Sequence, residues 1–353
     1  MGIKSLHKFL RKHCPEIYVE KKLSEYAFKK IAIDISVYLY MYKTIFGDRW
    51  LDAFLNLICC LRKNEVHCVF IYDGKSPPEK EREKQKRKSS RDKQEEKINI
   101  LEQAIELYYQ TSEVDELLYD IIEKKTSPLR QRLLKNKKLA FDIKICEKYL
   151  AKKKAQIVHL QDEDFKSSKD LFTILGIPYF ISPSEGETLC SQLALYGKVA
   201  GVLSEDTDIL AYGTGIFLTK INTSQETVVE IRISNILDAL SMSQAQFTDL
   251  CIMCGTDYNS NIFRVGPEKA FKLLEEFGSI EDIKGKDTTI LNYKRVRELF
   301  AKDTTVCLDI PFCKSPDLES LKDFLFHNNC KMHVSTVVTA FQPKELQFIE
   351  NEI

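Results

Sequence analysis

The sequence predicts an α/β protein with a mainly parallel central sheet flanked by helices. Three short runs of apolar and β-branched residues have the composition of strands buried on both faces. Helix-like stretches separate the runs, as the crossovers between parallel strands require. Each of the three runs ends in, or just before, an acidic residue. Because open parallel sheets bind ligands at the carboxyl ends of their strands, the pattern also predicts where a site lies.

The elements follow one another in an alternating order. An apolar helical stretch separates the first two runs, and a second helical stretch precedes a fourth strand candidate. The three acid-ended runs are residues 30–34, 68–73 and 199–203, the fourth strand is 177–180, and the helices are 50–61 and 165–175.

Residues 79–154 are long, charged and helix-prone, with Pro128 as their only proline. Helices that are polar on every face do not pack into a core, so we expect this segment to stand apart from the sheet. Two interpretations are open, a solvated insertion or an arch over a site. Its position directly after the strand-ending Asp73 favours the arch.

The net charge is zero, with 52 basic and 52 acidic side chains, but the charges are separated along the chain. Between Lys124 and Lys154 there are twelve lysines and arginines, opposed only by Asp142 and Glu147. A neutral total therefore does not exclude a phosphate-binding surface next to a cation-binding site.

After Asp208 we expect the chain to be helical. Gly266 followed by Pro267 is a typical helix start. A helix, a glycine hairpin and a second helix would direct free backbone N–H groups at a DNA phosphate.

Several protein classes are disfavoured. No apolar run approaches the roughly 18 residues that would span a bilayer, and the first residues do not resemble a secretory signal. The eleven cysteines are expected to be free thiols. Cys251 and Cys254 form an isolated CxxC in an apolar helical stretch, so we expect them to pack in the core.

Seven carboxylates carry the predicted chemistry. Acids crowded at one sheet edge repel one another and so imply bound cations, and oxygen-only ligands select Mg²⁺ or Mn²⁺. Two such ions would activate water and stabilise the leaving oxygen of a phosphodiester. Any single acid could instead cap a helix, as Ser184 and Glu187 would do in a capping box. The predicted metal ligands are Asp34, Asp73, Glu185, Glu187, Asp206, Asp208 and Asp257.

The motifs around these acids resemble the flap endonuclease branch of the XPG-type nuclease family. The match runs in order from residue 1 to about residue 340. It covers the N-terminal Met-Gly-Ile-Lys-Ser-Leu, both acid-ended strands, Gly-Ile-Pro-Tyr followed by Pro-Ser-Glu-Gly-Glu, Ser-Glu-Asp-Thr-Asp, and the segment ending in Gly-Thr-Asp-Tyr. The resemblance implies a PIN-like nuclease core, a helical arch and a C-terminal helix–hairpin–helix, with all seven acids at the family's metal positions.

The resemblance also implies roles beyond the metals. Lys80 and Arg87 would be catalytic arch residues contacting the scissile phosphate, and their spacing of seven would place both on one helical face. Tyr40 would stack on the base beside the cut, whereas composition alone favours a core role. The remaining predicted DNA contacts are Gly2, Gly266 and Lys269. Besides two Mg²⁺ ions, with Mn²⁺ as substitute, a K⁺ ion is expected at the helix–hairpin–helix.

The expected regions are a nuclease region with the start of the arch (1–110), the basic arch (111–160), an internal nuclease region (161–255) and a helix–hairpin–helix region (256–353). The arch is longer than in cellular family members, the segment between Asp34 and Asp73 is shorter, and Arg264 replaces the first hairpin glycine. A sliding-clamp peptide is not evident. The Lys-, Ile- and Asn-rich composition resembles homologues of large DNA viruses.

The expected function is metal-dependent cleavage of 5′ flaps and related branched DNA, with 5′–3′ exonuclease activity as an extension, in replication, repair or recombination. The alternatives are a Holliday-junction or bubble nuclease of the same family, a non-catalytic DNA-binding protein, and a nuclease that also cuts RNA. We expect a monomer that binds branched or flapped double-stranded DNA and no membrane. It would act in the nucleus, or at a cytoplasmic replication site if viral.

Overall fold

The computed structural model describes residues 2–125, 141–301 and 308–342. Contacts divide the chain into two compact units. The first contains residues 1–42, 48–81 and 160–353, and the second contains residues 43–47 and 82–159. The four regions expected from the sequence remain a prediction.

The first unit is built on one seven-stranded sheet among the described residues, with the order β1-β7-β6-β5-β2-β3-β4. The five strands β2 to β6 run parallel to one another, whereas β7 is antiparallel to both of its neighbours, β6 and β1. The strands are β1 Val19–Lys22, β2 Lys30–Asp34, β3 His67–Tyr72, β4 Tyr179–Ile181, β5 Gly201–Leu203, β6 Ile216–Asn222 and β7 Thr227–Arg232.

Helices cover both faces of this sheet, and each face has its own apolar layer. The helices of the first unit are α1 Leu6–His13, α2 Ile35–Phe46, α3 Trp50–Lys63, α7 Asp162–Ile174, α8 Gly186–Leu195, α9 Asp208–Ala211, α10 Ile233–Leu240, α11 Gln244–Cys254, α12 Pro267–Phe277, α13 Tyr293–Phe300, α14 Leu318–His327 and α15 Val334–Phe341. The end of α2 lies in the second unit. The predicted α/β fold class is confirmed.

The central strands form because their side chains are apolar on both faces. Ile31, Ala32 and Ile33 in β2 are almost completely buried, as are the three residues of β5. Strands covered on both faces have this continuous apolar composition. Consequently, the acids that follow β2, β3 and β5 come to one edge of the sheet.

The sequence had suggested a helical chain after Asp208, but the chain there is not helical throughout. Strands β6 and β7 form an antiparallel hairpin before α10 begins. β-branched residues dominate Thr227–Arg232, and this composition favours a strand over a helix.

The second unit contains the helices α4 Glu81–Thr111, α5 Glu116–Lys125 and α6 Ile143–Lys154, apart from the first residue of α4. Contrary to what the charged composition had indicated, these helices are not polar on every face, because apolar side chains of all three pack together. Much of the basic run lies at residues 126–140, outside the described residues. The buried members of the cluster are Leu101, Ala104, Ile105, Leu118, Ile121, Ile122 and Cys146.

Among the described residues, no helix combines the length and apolar composition needed to cross a membrane. Cys251 and Cys254 are fully buried in α11 within the larger apolar layer, as predicted.

Candidate metal centre

Three carboxylates form the most compact part of the site. Glu187 lies in the first turn of α8, Asp206 follows β5, and Asp208 begins α9. One oxygen from each lies within 4.8 Å of the others, and all three residues are buried. Glu187, Asp206 and Asp208 are exposed by only 7%, 7% and 1%. The geometry therefore fits a single cation bound by all three residues.

Asp208 provides evidence that this cluster is built for a ligand. Its Oδ1 atom is buried and has no hydrogen-bond partner among the described residues. Burying an ionised oxygen without a partner destabilises the folded state by roughly several kcal/mol, unless a cation or a hydrogen-bond donor compensates its charge. A divalent cation beside Asp206 and Glu187 would supply that compensation.

Ser36 connects the acids that follow the neighbouring strands β2 and β3. Its backbone N–H donates to Asp34 Oδ1 at 3.1 Å, and its hydroxyl donates to Asp73 Oδ2 at 2.6 Å. The backbone N–H of Gly186 donates to Asp73 Oδ1 at 2.6 Å. Because Gly186 separates Glu185 from Glu187, this bond joins the β3 edge to the acids of α8. Ser36 is not an acid, so the acidic motifs do not indicate its role.

Lys80 lies among the remaining acids. Its Nζ atom is 2.5 Å from Glu185 Oε1 and 3.4 Å from Asp257 Oδ2. The side chain of Lys80 is only 15% exposed. Burial alone would lower the pKa of Lys80, but the carboxylates of Glu187 and Glu185 outweigh it and raise the pKa, so the amine is charged.

The carboxylates strongly perturb one another. Burial raises the pKa of Asp34 well above its usual value, and the charges of Asp73 and Asp206 raise it further. Burial likewise raises the pKa of Glu187 and Asp208, and Asp206 is the largest charge contributing to both. Such a group of acids needs positive charge to stay ionised, and Lys80 supplies only part of it.

Tyr258 is a further member of the site that the acidic motifs did not indicate. Its buried hydroxyl hydrogen-bonds with Glu185 Oε2 and lies 3.3 Å from Glu187 Oε1. The hydroxyl thus contacts the two glutamates on either side of Gly186. The residue stands next to Asp257 in the sequence, but only the fold brings its hydroxyl to α8.

Gly2 contacts the acids directly. A Cβ atom at Gly2 would lie 2.0 Å from Asp206 Oδ1 and 2.8 Å from Asp208 Oδ1. The φ angle of 81° is also in the left-handed region that favours glycine. Gly2 was predicted as a DNA contact, and the structure additionally places it against two predicted metal ligands.

The predicted arch residues differ in their surroundings. Lys80 ends the one-turn 3₁₀ helix Pro78–Lys80, directly before α4 begins, and its place on one helical face with Arg87 remains a prediction. Arg87 lies in the second unit, where its half-exposed side chain has its Nε 3.6 Å from Glu83 Oε1.

Tyr40 lies in α2, the helix that begins directly after Asp34. Its side chain is 43% exposed, so the alternative that it is a core residue is wrong. Its base-stacking role remains a prediction.

The predicted hairpin connects α11 and α12. Gly266 is the N-cap of α12, and an added Cβ there would meet no atom within 4 Å. Lys269 is exposed in the first turn of α12. Arg264 adopts a φ of 58°, in the left-handed region that favours glycine. Its guanidinium lies 5.0 Å from the centre of the Phe263 ring, and that ring is 81% exposed.

Comparisons with known proteins identify the family. The model of the XPG N-terminal domain matches residues 1–94, and that of the XPG I-region matches residues 176–257. "Probable RAD2-like endonuclease 369L" of Invertebrate iridescent virus 6 is 32% identical over 85% of this chain and 79% of its own length. Flap endonuclease 1 of Zea mays is 31% identical over 93% of this chain and 83% of its own.

The chain belongs to the XPG nuclease family. Nucleases of this family depend on divalent metals, and the buried acids of this XPG-family protein fit that requirement. The fold agrees. The catalytic core of Rad2, solved in complex with DNA substrate, superposes with a TM-score of 0.64 at 16% identity, covering 96% of this chain and all of the other. Flap endonuclease-1 from Methanococcus jannaschii gives a TM-score of 0.59 at 20% identity, covering 92% and 96%.

Proposed function

We propose that this XPG-family protein is a divalent-metal-dependent endonuclease that cuts phosphodiester bonds at 5′ flaps and related branched DNA. The observation that carries the proposal is the buried cluster of Glu187, Asp206 and Asp208, with its unpartnered Asp208 Oδ1, at the carboxyl edge of the sheet. Relatives named flap endonuclease 1 and RAD2-like endonuclease support the substrate class.

The donor set favours Mg²⁺, with Mn²⁺ as a substitute, because only carboxylate oxygens line the cluster and hard ions prefer such ligands. The ligands would be the seven acids Asp34, Asp73, Glu185, Glu187, Asp206, Asp208 and Asp257. Their number supports two ions per subunit. When bound, such ions would supply activation of the attacking water and stabilisation of the charge on the leaving oxygen.

The chain's own residues would orient the substrate around these acids. Lys80 would donate to a non-bridging oxygen of the scissile phosphate, and the position of its amine among the acids supports this role. Arg87 would stabilise charge on the same phosphate. Tyr40 would stack on the neighbouring base with its exposed ring. Gly2 would let the N-terminal backbone lie close to both the acids and the DNA.

The hairpin between α11 and α12 would bind the duplex part of the DNA. The N-terminus of α12 at Gly266 carries the positive end of the helix dipole, and Lys269 adds a positive charge in the first turn. A K⁺ ion at this hairpin would share the phosphate. We further propose that the protein acts as a monomer, in the nucleus or at a viral replication site in the cytoplasm.

A panel of labelled DNAs tests the function. Flap, nick, bubble and four-way junction substrates are incubated with the protein in Mg²⁺, and Asp208→Asn serves as the inactive control. Preferential cutting at the base of the 5′ flap is the expected result. Preference for the four-way junction or bubble would replace the flap assignment, and binding without cutting by the wild type would refute the proposed enzyme.

A further inference from the structure

A cleft of about 600 Å³ opens beside the acidic edge of the sheet. It lies within the first unit, between the ends of β3 and β4 and the helix α7, and Asp73 and Ser36 form part of its wall. Binding sites for small molecules occupy roughly 300–1,000 Å³, so the cleft is large enough for one nucleotide. None of the roles assigned above uses it.

Aromatic rings form one side of the cleft. Tyr72 and Tyr179 meet edge to face with centroids 5.7 Å apart, and Phe165 lies 6.4 Å from Tyr72. The Tyr72 hydroxyl is 2.7 Å from Ser168 Oγ, which fixes its ring. Phe165 and Tyr179 are only partly buried, so their rings present apolar surface to an occupant. Flat apolar walls of this kind favour a ligand with an aromatic face.

Two lysines make the cleft suitable for a phosphate. Lys169 lies with its Nζ 5.0 Å from the centre of the Tyr72 ring, and Lys166 stands one turn earlier on α7. Asp162 and Asp170 also line the cleft. These carboxylates disfavour a ligand with several phosphates, and they can accept hydrogen bonds from the amino groups of a base. The combination favours a single nucleotide unit over a nucleoside triphosphate.

The cleft is continuous with the metal centre. Asp73 lines it, and the same carboxylate accepts hydrogen bonds from Ser36 and Gly186 at the acidic edge. An occupant would therefore lie next to Asp73, one of the proposed metal ligands. We propose that the cleft binds one unpaired nucleotide of the strand being cut, next to the scissile phosphate, with its base against Phe165 and Tyr179 and its phosphate near Lys169. This inference rests on the proposed function and adds a substrate subsite to it.

The test uses 5′-flap substrates with a single abasic residue at each of several positions around the cut. At one position, loss of the base should lower kcat/KM for the wild type by about 5- to 100-fold, the range for losing one stacked base. Phe165→Leu and Lys169→Gln should cut the unmodified flap more slowly and should lose most of that abasic sensitivity. Lys322→Gln, an exposed lysine on α14 outside the cleft, is the matched control and should retain the full sensitivity.

Binding gives a second readout that does not require cutting. With Ca²⁺ in place of Mg²⁺, 2-aminopurine at the sensitive position should lose fluorescence on binding to the wild type, and less so with Lys169→Gln. This measurement keeps the proposal testable if Phe165→Leu does not fold. Tyr40→Leu separates the two stacking sites, because it should leave the sensitivity at the cleft position unchanged.

The outcomes separate the cleft from the function. If the folded wild type cuts no flap in Mg²⁺, the proposed function fails. If it cuts the flap but tolerates an abasic residue at every position, or if the cleft variants keep the wild-type sensitivity, the cleft proposal alone is overturned.

Discussion

Replacing Gly2 by alanine should disable cutting while leaving the fold intact. The added Cβ would lie 2.0 Å from Asp206 Oδ1, 2.7 Å from Thr207 Oγ1 and 2.8 Å from Asp208 Oδ1. Since real Cβ atoms essentially never approach other atoms closer than 3.0 Å, Asp206 or the backbone at Gly2 must move by at least about 1 Å. Alanine must also keep a φ of 81°, which costs about 1–2 kcal/mol.

The expected effect on catalysis follows from that displacement. A misplacement of about 1 Å in a reacting site costs roughly 100-fold in rate, so single-turnover cutting of a 5′ flap should fall by about that factor. The melting temperature should fall by only several degrees, because about 1–2 kcal/mol is spread over a large cooperative unit. Affinity for the flap in Ca²⁺ should change far less than the rate.

Gly215→Ala is the matched control. An added Cβ there meets no atom within 4 Å, and the residue is not in the left-handed region, so cutting should be unchanged. The reasoning about Gly2 is refuted if Gly2→Ala cuts within about threefold of the wild-type rate. That result would mean that the first residues move aside and that the acids do not depend on their position.

Four further predictions concern single side chains. Asp208→Asn should reduce cutting by more than the ~10–100-fold typical of supporting residues. It should also raise the melting temperature in EDTA, because it removes a buried charge without a partner, and a lower melting temperature would contradict this. Tyr258→Phe removes the hydroxyl that contacts Glu185, so the Mg²⁺ concentration for half-maximal cutting should rise by about 10-fold or more. An unchanged metal titration would show that the hydroxyl has only a packing role. Lys80→Gln should lower the single-turnover rate about 100-fold with little change in affinity, and equal losses in both would assign it to binding alone. Arg264→Gly relieves a left-handed backbone conformation, so the free energy of unfolding should change by less than about 1 kcal/mol. DNA binding should become more dependent on K⁺, which anisotropy titrations with and without K⁺ would measure. Equal K⁺ dependence of the two proteins would remove any role of the arginine at the hairpin.

The central strands could be predicted because burial on both faces leaves a simple signature. Residues 30–34 and 199–203 are short apolar runs with an acid at or near the end, and the structure contains strands at Lys30–Asp34 and Gly201–Leu203. The edge strand Val19–Lys22 is mostly exposed and polar, so it carries no such signature. It becomes a strand only because β7 offers free backbone groups beside it.

The hairpin of β6 and β7 was missed for a different reason. Its β-branched composition carried a signal, but apolar helices before and after it led to an expectation of helix throughout. In the second unit, the abundance of charge concealed the few apolar positions through which α4, α5 and α6 pack.

The sequence by itself determined which residue types form the site. Acids follow three buried strands, and parallel strands bring such acids to one edge whatever the details of packing. Family membership was predictable from the sequence because each of the family motifs is a short local segment.

Only the tertiary structure decided how these residues meet. Tyr258 reaches Glu185 across 73 positions of the chain, and Gly2 lies against Asp206, a residue that follows β5 far along the sequence. The cleft beside Asp73 likewise joins α2, β3, β4 and α7. Contacts between residues so far apart depend on how helices pack on the sheet, and that packing is set by the shapes of many side chains together, which no local pattern records.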